Sequence, residues 1–270
     1  MKERINIREI KKAIEHNKKL ARKDEGGYET KEKEWKERGV YDSPLEEFGD
    51  QFAIVLPEIL KEEKKRDEFG FLKNPKIFQI YIEQTLSKEK KQDLTAVEFG
   101  GPGSNLFRGF TKNFFRKTVG VCLKDIRSQS EQKDDEENNH TIVEGDILDL
   151  QDNKLLMEVT KKLGAIKIDL IISRLYGPLS SIYRHPAILD RIIRNWYSIL
   201  NENGLMFIQF EPWRTIDPNK TVTEIKVEKW ETAIKEKYPE IDIQVDYGLL
   251  RMHKVIGAPE KLLPATQLFN

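Results

Sequence analysis

The chain has 270 residues, 38% of them hydrophobic and 34% charged. That is enough to bury a sizeable core under a well-solvated surface, in one large domain or in one domain with an extension. The 46 basic residues are matched by 46 acidic ones, so the basic excess that phosphate contacts demand of a general nucleic-acid binder is missing, and nucleic acid is not the expected partner. Cys122 is the single cysteine, which excludes an intrachain disulfide and a cysteine zinc cluster, and the four histidines are scattered, so no metal site is expected. No apolar run approaches the roughly 20 residues of a membrane helix. The opening MKERINIREIKK lacks the apolar core of a signal peptide. The expected setting is the cytoplasm, with no membrane contact.

The pattern changes near Asp93. Residues 1–92 read as a helical extension, expected to form a lid or a substrate wall over residues 93–270. Ile7, Ile10 and Ile14 recur at helical spacing between Ile5 and about Lys23, and Gly26-Gly27 breaks that run. Trp35 anchors a short charged stretch from Glu32 to Arg38. Ser43-Pro44-Leu45-Glu46 has the form of a helix start, with Ser43 to cap, Pro44 in the first turn and Glu46 to close a capping box. This helix is expected to carry Phe48, Phe52, Ile54, Val55 and Leu60, with a kink at Pro57. Asn74-Pro75 opens another, with Ile77, Phe78, Tyr81, Ile82 and Leu86 apolar.

From residue 93 the chain alternates short apolar runs with helix-length segments, the pattern of a mostly parallel sheet covered on both faces. Strands are expected at Thr95 to Gly100, Lys117 to Leu123, His140 to Ile147, Ile168 to Ser173 and Leu205 to Phe210. Ser128 to Asn139 holds no apolar residue and reads as a solvated loop. Pro186 to about Leu200 is a helix with Ile188, Leu189, Ile192, Ile193 and Trp196 along one side, ended by Asn203-Gly204. Ile241 to Leu249 and His253 to Ile256 read as an antiparallel pair at the sheet edge.

The most informative segment is Val97-Glu98-Phe99-Gly100-Gly101-Pro102-Gly103-Ser104, which leaves a strand and enters a helix near Asn105. Glycines there let a ligand approach the backbone closely, and a helix start offers free N–H groups. A dinucleotide fingerprint needs glycine at its first, third and sixth positions. Starting from Gly101, the sixth position is Leu106, and starting from Gly100, the third is Pro102, so neither frame fits.

An acid immediately before a glycine turn resembles instead the first motif of the Rossmann-like (class I) S-adenosylmethionine-dependent methyltransferases. The resemblance runs in order from Thr95 to Gly257. Gly120 to Asp125 sits where that family's second strand ends, and Glu144-Gly145-Asp146-Ile147-Leu148-Asp149 is similar to its third-strand motif. Asp169 to Arg174 is similar to its fourth, and Asn203 to Ile208 to the lead into its fifth. The resemblance implies a three-layer α/β sheet with an antiparallel edge hairpin, S-adenosylmethionine as cofactor, and cofactor contacts from Glu98, Gly100, Gly101, Gly103, Asp125, Asp146, Ile147 and Ser173. The family ends its second strand with an acid that binds the ribose hydroxyls. Cys122 stands there in this chain, and Asp125, three residues on, is the replacement candidate.

Methyl transfer from a sulfonium requires alignment and exclusion of water rather than a fixed catalytic group, so no catalytic residue is assigned. On the acceptor side, Arg174 and Tyr176 follow the fourth strand and Glu211 the fifth. The acceptor is an unidentified small molecule or protein. The Asn- or Asp-Pro-Pro-Tyr run of enzymes that methylate bases or glutamine is missing. Two alternatives stay open: a non-catalytic binding or scaffold protein with a degraded cofactor site, supported by Cys122, and a nicotinamide-dependent oxidoreductase.

Overall fold

The computed structural model describes residues 33, 34, 36, 37, 41–87, 93–147, 153–174, 186–210 and 222–264. The expected helix from Ile5 to Lys23, together with Trp35, Tyr176 and Glu211, lies outside the described residues.

Seven strands form one sheet in the order β3-β2-β1-β4-β5-β7-β6. They are β1 (Thr95–Phe99), β2 (Lys117–Cys122), β3 (His140–Glu144), β4 (Ile168–Arg174), β5 (Leu200–Gln209), β6 (Ile241–Asp246) and β7 (Leu249–Lys254). β1 to β5 are mutually parallel, and β7 pairs antiparallel with both β5 and β6. The α/β sheet with its edge hairpin is therefore present. The hairpin turns at Tyr247-Gly248, not beyond Leu249, because both residues hold positive φ (47° and 72°), the conformation that a tight two-residue turn demands.

Alternation along the strands assigns their side chains to two faces. Val97, Phe99, Val121, Ile171, Met206 and Ile208 pack against α5 (Lys154–Leu163), α6 (Pro186–Ile199) and α7 (Val222–Lys237). Phe99 stacks on Trp196 with ring centroids 4.4 Å apart. Ala96, Leu170, Ile172, Leu205 and Phe207 face the other way, onto α1 (Leu45–Phe52), α2 (Ile77–Ser87) and α3 (Ser104–Arg108). The region 41–87 thus supplies one of the sheet's two apolar covers: Phe52, Phe78 and Tyr81 surround Phe207 with centroids 5.4, 4.9 and 6.5 Å away.

Four local expectations are corrected. Pro44, not Ser43, occupies the N-cap of α1, and no side chain caps the helix end. That helix stops at Phe52 and tightens into a 3-10 turn, Ala53–Val55. It cannot run through a kink at Pro57, because the residue before a proline is pushed out of the helical region, and Leu56 is extended at ψ 153°. Residues Gln129–Glu137 form a helix, α4, where a loop was expected. A capping box between Ser128 and Glu131 starts it, and its one buried residue, Asp135, ties it to Ser104, Arg108 and Arg127. Finally, α6 ends at Ile199 and β5 begins at Leu200, so Asn203-Gly204 lies within the strand, at a register shift against β4.

Phe207 is fully buried. Phe207→Ala is expected to cost about 3–5 kcal/mol of unfolding free energy, since the rings around it cannot collapse into the space. Urea denaturation measures this, and a loss under about 1 kcal/mol would mean that the helical layer is not packed on that face.

Candidate functional site

The sheet order places a topological switch between β1 and β4: from β1 the chain moves outward to β2 and β3, then returns to β4 on the other side. In open α/β sheets, ligands gather at the carboxyl ends of the strands flanking such a switch. Glu98 lies one residue from the end of β1, paired with Ile172, and Arg174 ends β4.

The turn after β1 is held from several directions. Gly100 and Gly103 take positive φ, 95° and 74°, which glycine adopts without strain. The Gly100 N–H donates to the Val121 carbonyl at 2.8 Å, folding the turn back over the end of β2. A Cβ at Gly120 would run into the Pro102 backbone, so the turn can lie against β2 only where that strand has no side chain. The His140 Nε2 donates to the Pro102 carbonyl at 2.7 Å while its Nδ1 accepts from the Thr118 hydroxyl at 2.8 Å. Burial pushes the His140 pKa down to about 4, so the ring is neutral and keeps this donor–acceptor order at physiological pH.

Glu98 sits under this turn. Its residue is 5% exposed, and a Cβ at Gly101 would stand 2.5 Å from its Oε1. Burial pushes its pKa up to about 8, and the neighbouring Asp42 and Glu47 charges push the same way. The Arg174 guanidinium and a backbone hydrogen bond from Gly103 oppose them. Arg174 is itself buried, ion-paired through NH1 to Glu47 Oε1 at 2.9 Å and lying 3.9 Å from the centre of the Phe48 ring. The first turn of α1 therefore reaches the switch point.

The start of α3 is occupied. Both carboxylate oxygens of Asp42 accept from the Asn105 N–H, at 3.0 and 3.2 Å, and the Asp42 backbone carbonyl accepts from the Asn105 amide. Burial raises the Asp42 pKa to about 6. One of the helix-start N–H groups that a phosphate would use is therefore already satisfied by a carboxylate of the chain.

Of the cofactor-side residues expected from sequence, Glu98, Gly100, Gly101 and Gly103 meet at this turn, and Ser173 joins them: its hydroxyl donates to the Phe99 carbonyl at 2.7 Å across the β1/β4 pair. Asp146 and Ile147 follow the end of β3, where Gly145 N–H donates to the Cys122 carbonyl at 2.9 Å, and Ile147 is buried in the core. Asp125 has another partner: Arg127 donates from Nε and NH2 to its two oxygens at 2.9 and 2.7 Å, which holds its carboxyl below the usual range. Cys122 is buried, with the Tyr41 hydroxyl 3.6 Å from its sulfur and also donating to the Lys124 carbonyl at 3.3 Å. Tyr41, Asp42, Glu47 and His140 were not among the sequence candidates. The first three come from a segment distant in sequence, and His140 reads as one more residue of an apolar strand. Among the described residues, no cluster of His, Cys, Asp and Glu could hold a metal ion, and no described helix is long and apolar enough to cross a membrane.

No protein-family model matches the sequence, and no curated protein matches it. Among solved structures, the chain is similar to the methyltransferase MycE of the mycinamycin biosynthetic pathway, solved with Mg, SAH and mycinamycin VI (14% identity, TM-score 0.40, 66% of this chain and 46% of that one). It is similar to an rRNA methylase from Streptococcus thermophilus (12% identity, TM-score 0.41, 66% of this chain and 95% of that one). It is also similar to an S-adenosylmethionine-dependent methyltransferase from Clostridium acetobutylicum (16% identity, TM-score 0.33, 59% of this chain and 56% of that one). The chain thus spans about half the length of the first and third. Likeness at this level transfers no activity from those proteins to this one.

Proposed function

We propose that the carboxyl ends of β1 and β4 bind S-adenosylmethionine and that the chain is a methyltransferase acting on a small molecule or a protein side chain. The observation that carries this reading is the buried Glu98 carboxyl directly beneath a glycine turn at the switch point. A second fact separates it from dinucleotide chemistry. The turn is flanked by Glu98, Asp42 and Glu47, and Asp42 already caps α3. A pyrophosphate would meet the Asp42 and Glu47 carboxylates and a helix start whose Asn105 N–H is already taken, whereas a ligand with an ammonium and a sulfonium meets complementary charge.

S-Adenosylmethionine supplies a methyl group on a positively charged sulfur, a good leaving group. Every other requirement falls on the chain. Glu98, once ionised, pairs with the ligand's amino group. Gly100, Gly101 and Gly103 leave room for backbone contact. Asp146 and Ile147 border the adenine end, and Asp125 or the Tyr41 hydroxyl borders the ribose. Ser173 fixes the β1/β4 spacing on which alignment depends. The segment carrying Asp42 and Glu47 forms a wall of the site, and Arg174 stands on the acceptor side, where the sequence also assigns Tyr176 and Glu211. A reducing compartment such as the cytoplasm suits the single buried thiol. The rival reading, a binding protein without catalysis, is favoured by one observation: Cys122 replaces the ribose acid while Asp125 is engaged by Arg127.

Calorimetry with S-adenosylmethionine, S-adenosylhomocysteine and NAD separates these readings. Binding of the first two but not NAD is expected, with loss of binding in Gly101→Val, whose side chain collides with Glu98. Binding of NAD, or of none of the three, contradicts the proposal, and cofactor binding without turnover on any acceptor points to the scaffold.

Glu98 also sets a pH dependence. Because its folded-state pKa stands above the ordinary 4.5, at about 8, the fold loses stability as pH rises through that interval. Glu98→Gln should match the wild type near pH 5 and exceed it above pH 8, by an amount on the order of a few kcal/mol at roughly 1.4 kcal/mol per pKa unit. Urea denaturation at the two pH values measures the difference, and equal stability at both would show that the carboxyl is not desolvated.

A further inference from the structure

Beyond Arg174, the next strand of the sheet carries a buried polar side chain without a hydrogen-bond partner among the described residues. Gln209 is the last residue of β5 and pairs in register with Arg174 of β4. It is 1% exposed, yet neither its Nε2 nor its Oε1 has a hydrogen-bond partner among the described residues. Strand alternation puts it on the same face as Phe207, and its parallel partner Arg174 is on the face of Ile172 and Glu98, so the Gln209 and Arg174 side chains leave the sheet next to each other at its carboxyl edge. Two strand spacings of roughly 4.8 Å separate its column from that of β1 and the glycine turn, which is the distance of a neighbouring subsite and not of the cofactor position itself.

A buried side-chain amide without partners is costly and rare in folded proteins. Other buried polar groups of this face are engaged: Glu98 by Gly103, Arg174 through one of its terminal nitrogens by Glu47, and Arg251 by the Val55 carbonyl and Asp242. Gln209 presents a carbonyl and an N–H side by side, and the group that satisfies both at once is the mirror arrangement, an N–H beside a C=O. Charge narrows the choice further. Among the described residues, Asp42 and Glu47 face the single guanidinium of Arg174 at this end of the sheet, so an anionic group is disfavoured.

We infer that Gln209, next to Arg174, is the specificity-determining residue of the acceptor subsite, and that the acceptor is a small uncharged molecule bearing a carboxamide or lactam edge. This deepens the methyltransferase reading and rests on it for the word acceptor. The recognition itself is a property of Gln209 that can be tested apart from it.

The test uses the full chain with S-adenosylhomocysteine present and absent. Acetamide and benzamide serve as probes, acetate and benzoate as controls, and binding is followed by ligand-observed NMR. At least one carboxamide is expected to bind saturably, with neither carboxylate binding. Gln209→Met, close in shape but apolar, is expected to weaken carboxamide binding by about tenfold or more while leaving S-adenosylhomocysteine affinity unchanged. It should also raise the urea midpoint, because it removes an unsatisfied group. A lowered midpoint would show that the amide has a structural partner and would overturn the inference, as would carboxamide binding that is absent in the wild type or equal in the variant. If S-adenosylhomocysteine fails to bind but Gln209→Met still abolishes carboxamide binding, the cofactor reading falls and the subsite stands.

Discussion

Taking a carboxylate out of water is unfavourable unless charge or hydrogen bonds replace the lost hydration. Glu98 meets that constraint incompletely: one backbone N–H and a guanidinium already shared with Glu47 stand against two further acids, and its pKa settles at about 8. Most of the surrounding architecture follows from keeping it there. Gly101 must lack a side chain, because a Cβ would occupy the carboxylate's position, and Gly120 must lack one for the turn to close over β2. His140 fastens that turn from the β3 side, and Ser173 fastens β1 to β4 from the other. A site that holds negative charge poorly in the free protein is one that gains from a cationic ligand.

The segment before the sheet serves both stability and the site. Phe48, Phe52 and Phe78 complete the core on one face, and α1, which carries the first two, brings Glu47 to Arg174 and follows the Asp42 that holds the start of α3. The packing of aromatic side chains and the charge pattern of the cleft are therefore coupled. A change that loosens α1 from Phe207 would move Glu47 away from the switch point and leave Arg174 beside Glu98 with fewer competing charges.

Much of the sheet was legible because buried parallel strands need near-continuous apolar residues, as Ile168 to Ser173 and Leu205 to Phe210 show, and because a glycine turn behind an acid has few other uses. The charged helix Gln129–Glu137 was missed for the opposite reason: it has no apolar stripe and is held by Asp135 through ion pairs to Arg108 and Arg127. Its capping box, Ser128 with Glu131, was the signal available in the sequence. Asp42, Glu47, Tyr41 and Gln209 could not have been placed by local pattern, since their roles come from contacts or register with residues far along the chain. Asp125 illustrates the converse: its nearness to Cys122 in the sequence does not reveal its other partner, Arg127 two residues away, which pairs with both of its oxygens.

The account depends on Glu98 being the group that an incoming cation meets. The most direct measurement is a pH titration of its side-chain carboxyl carbon by NMR, in the free protein and with saturating S-adenosylmethionine. The predicted result is a free-protein midpoint near 8 that moves down by at least one unit when the ligand binds. A midpoint near the ordinary carboxylate value, or one that the bound ligand leaves in place, would contradict it.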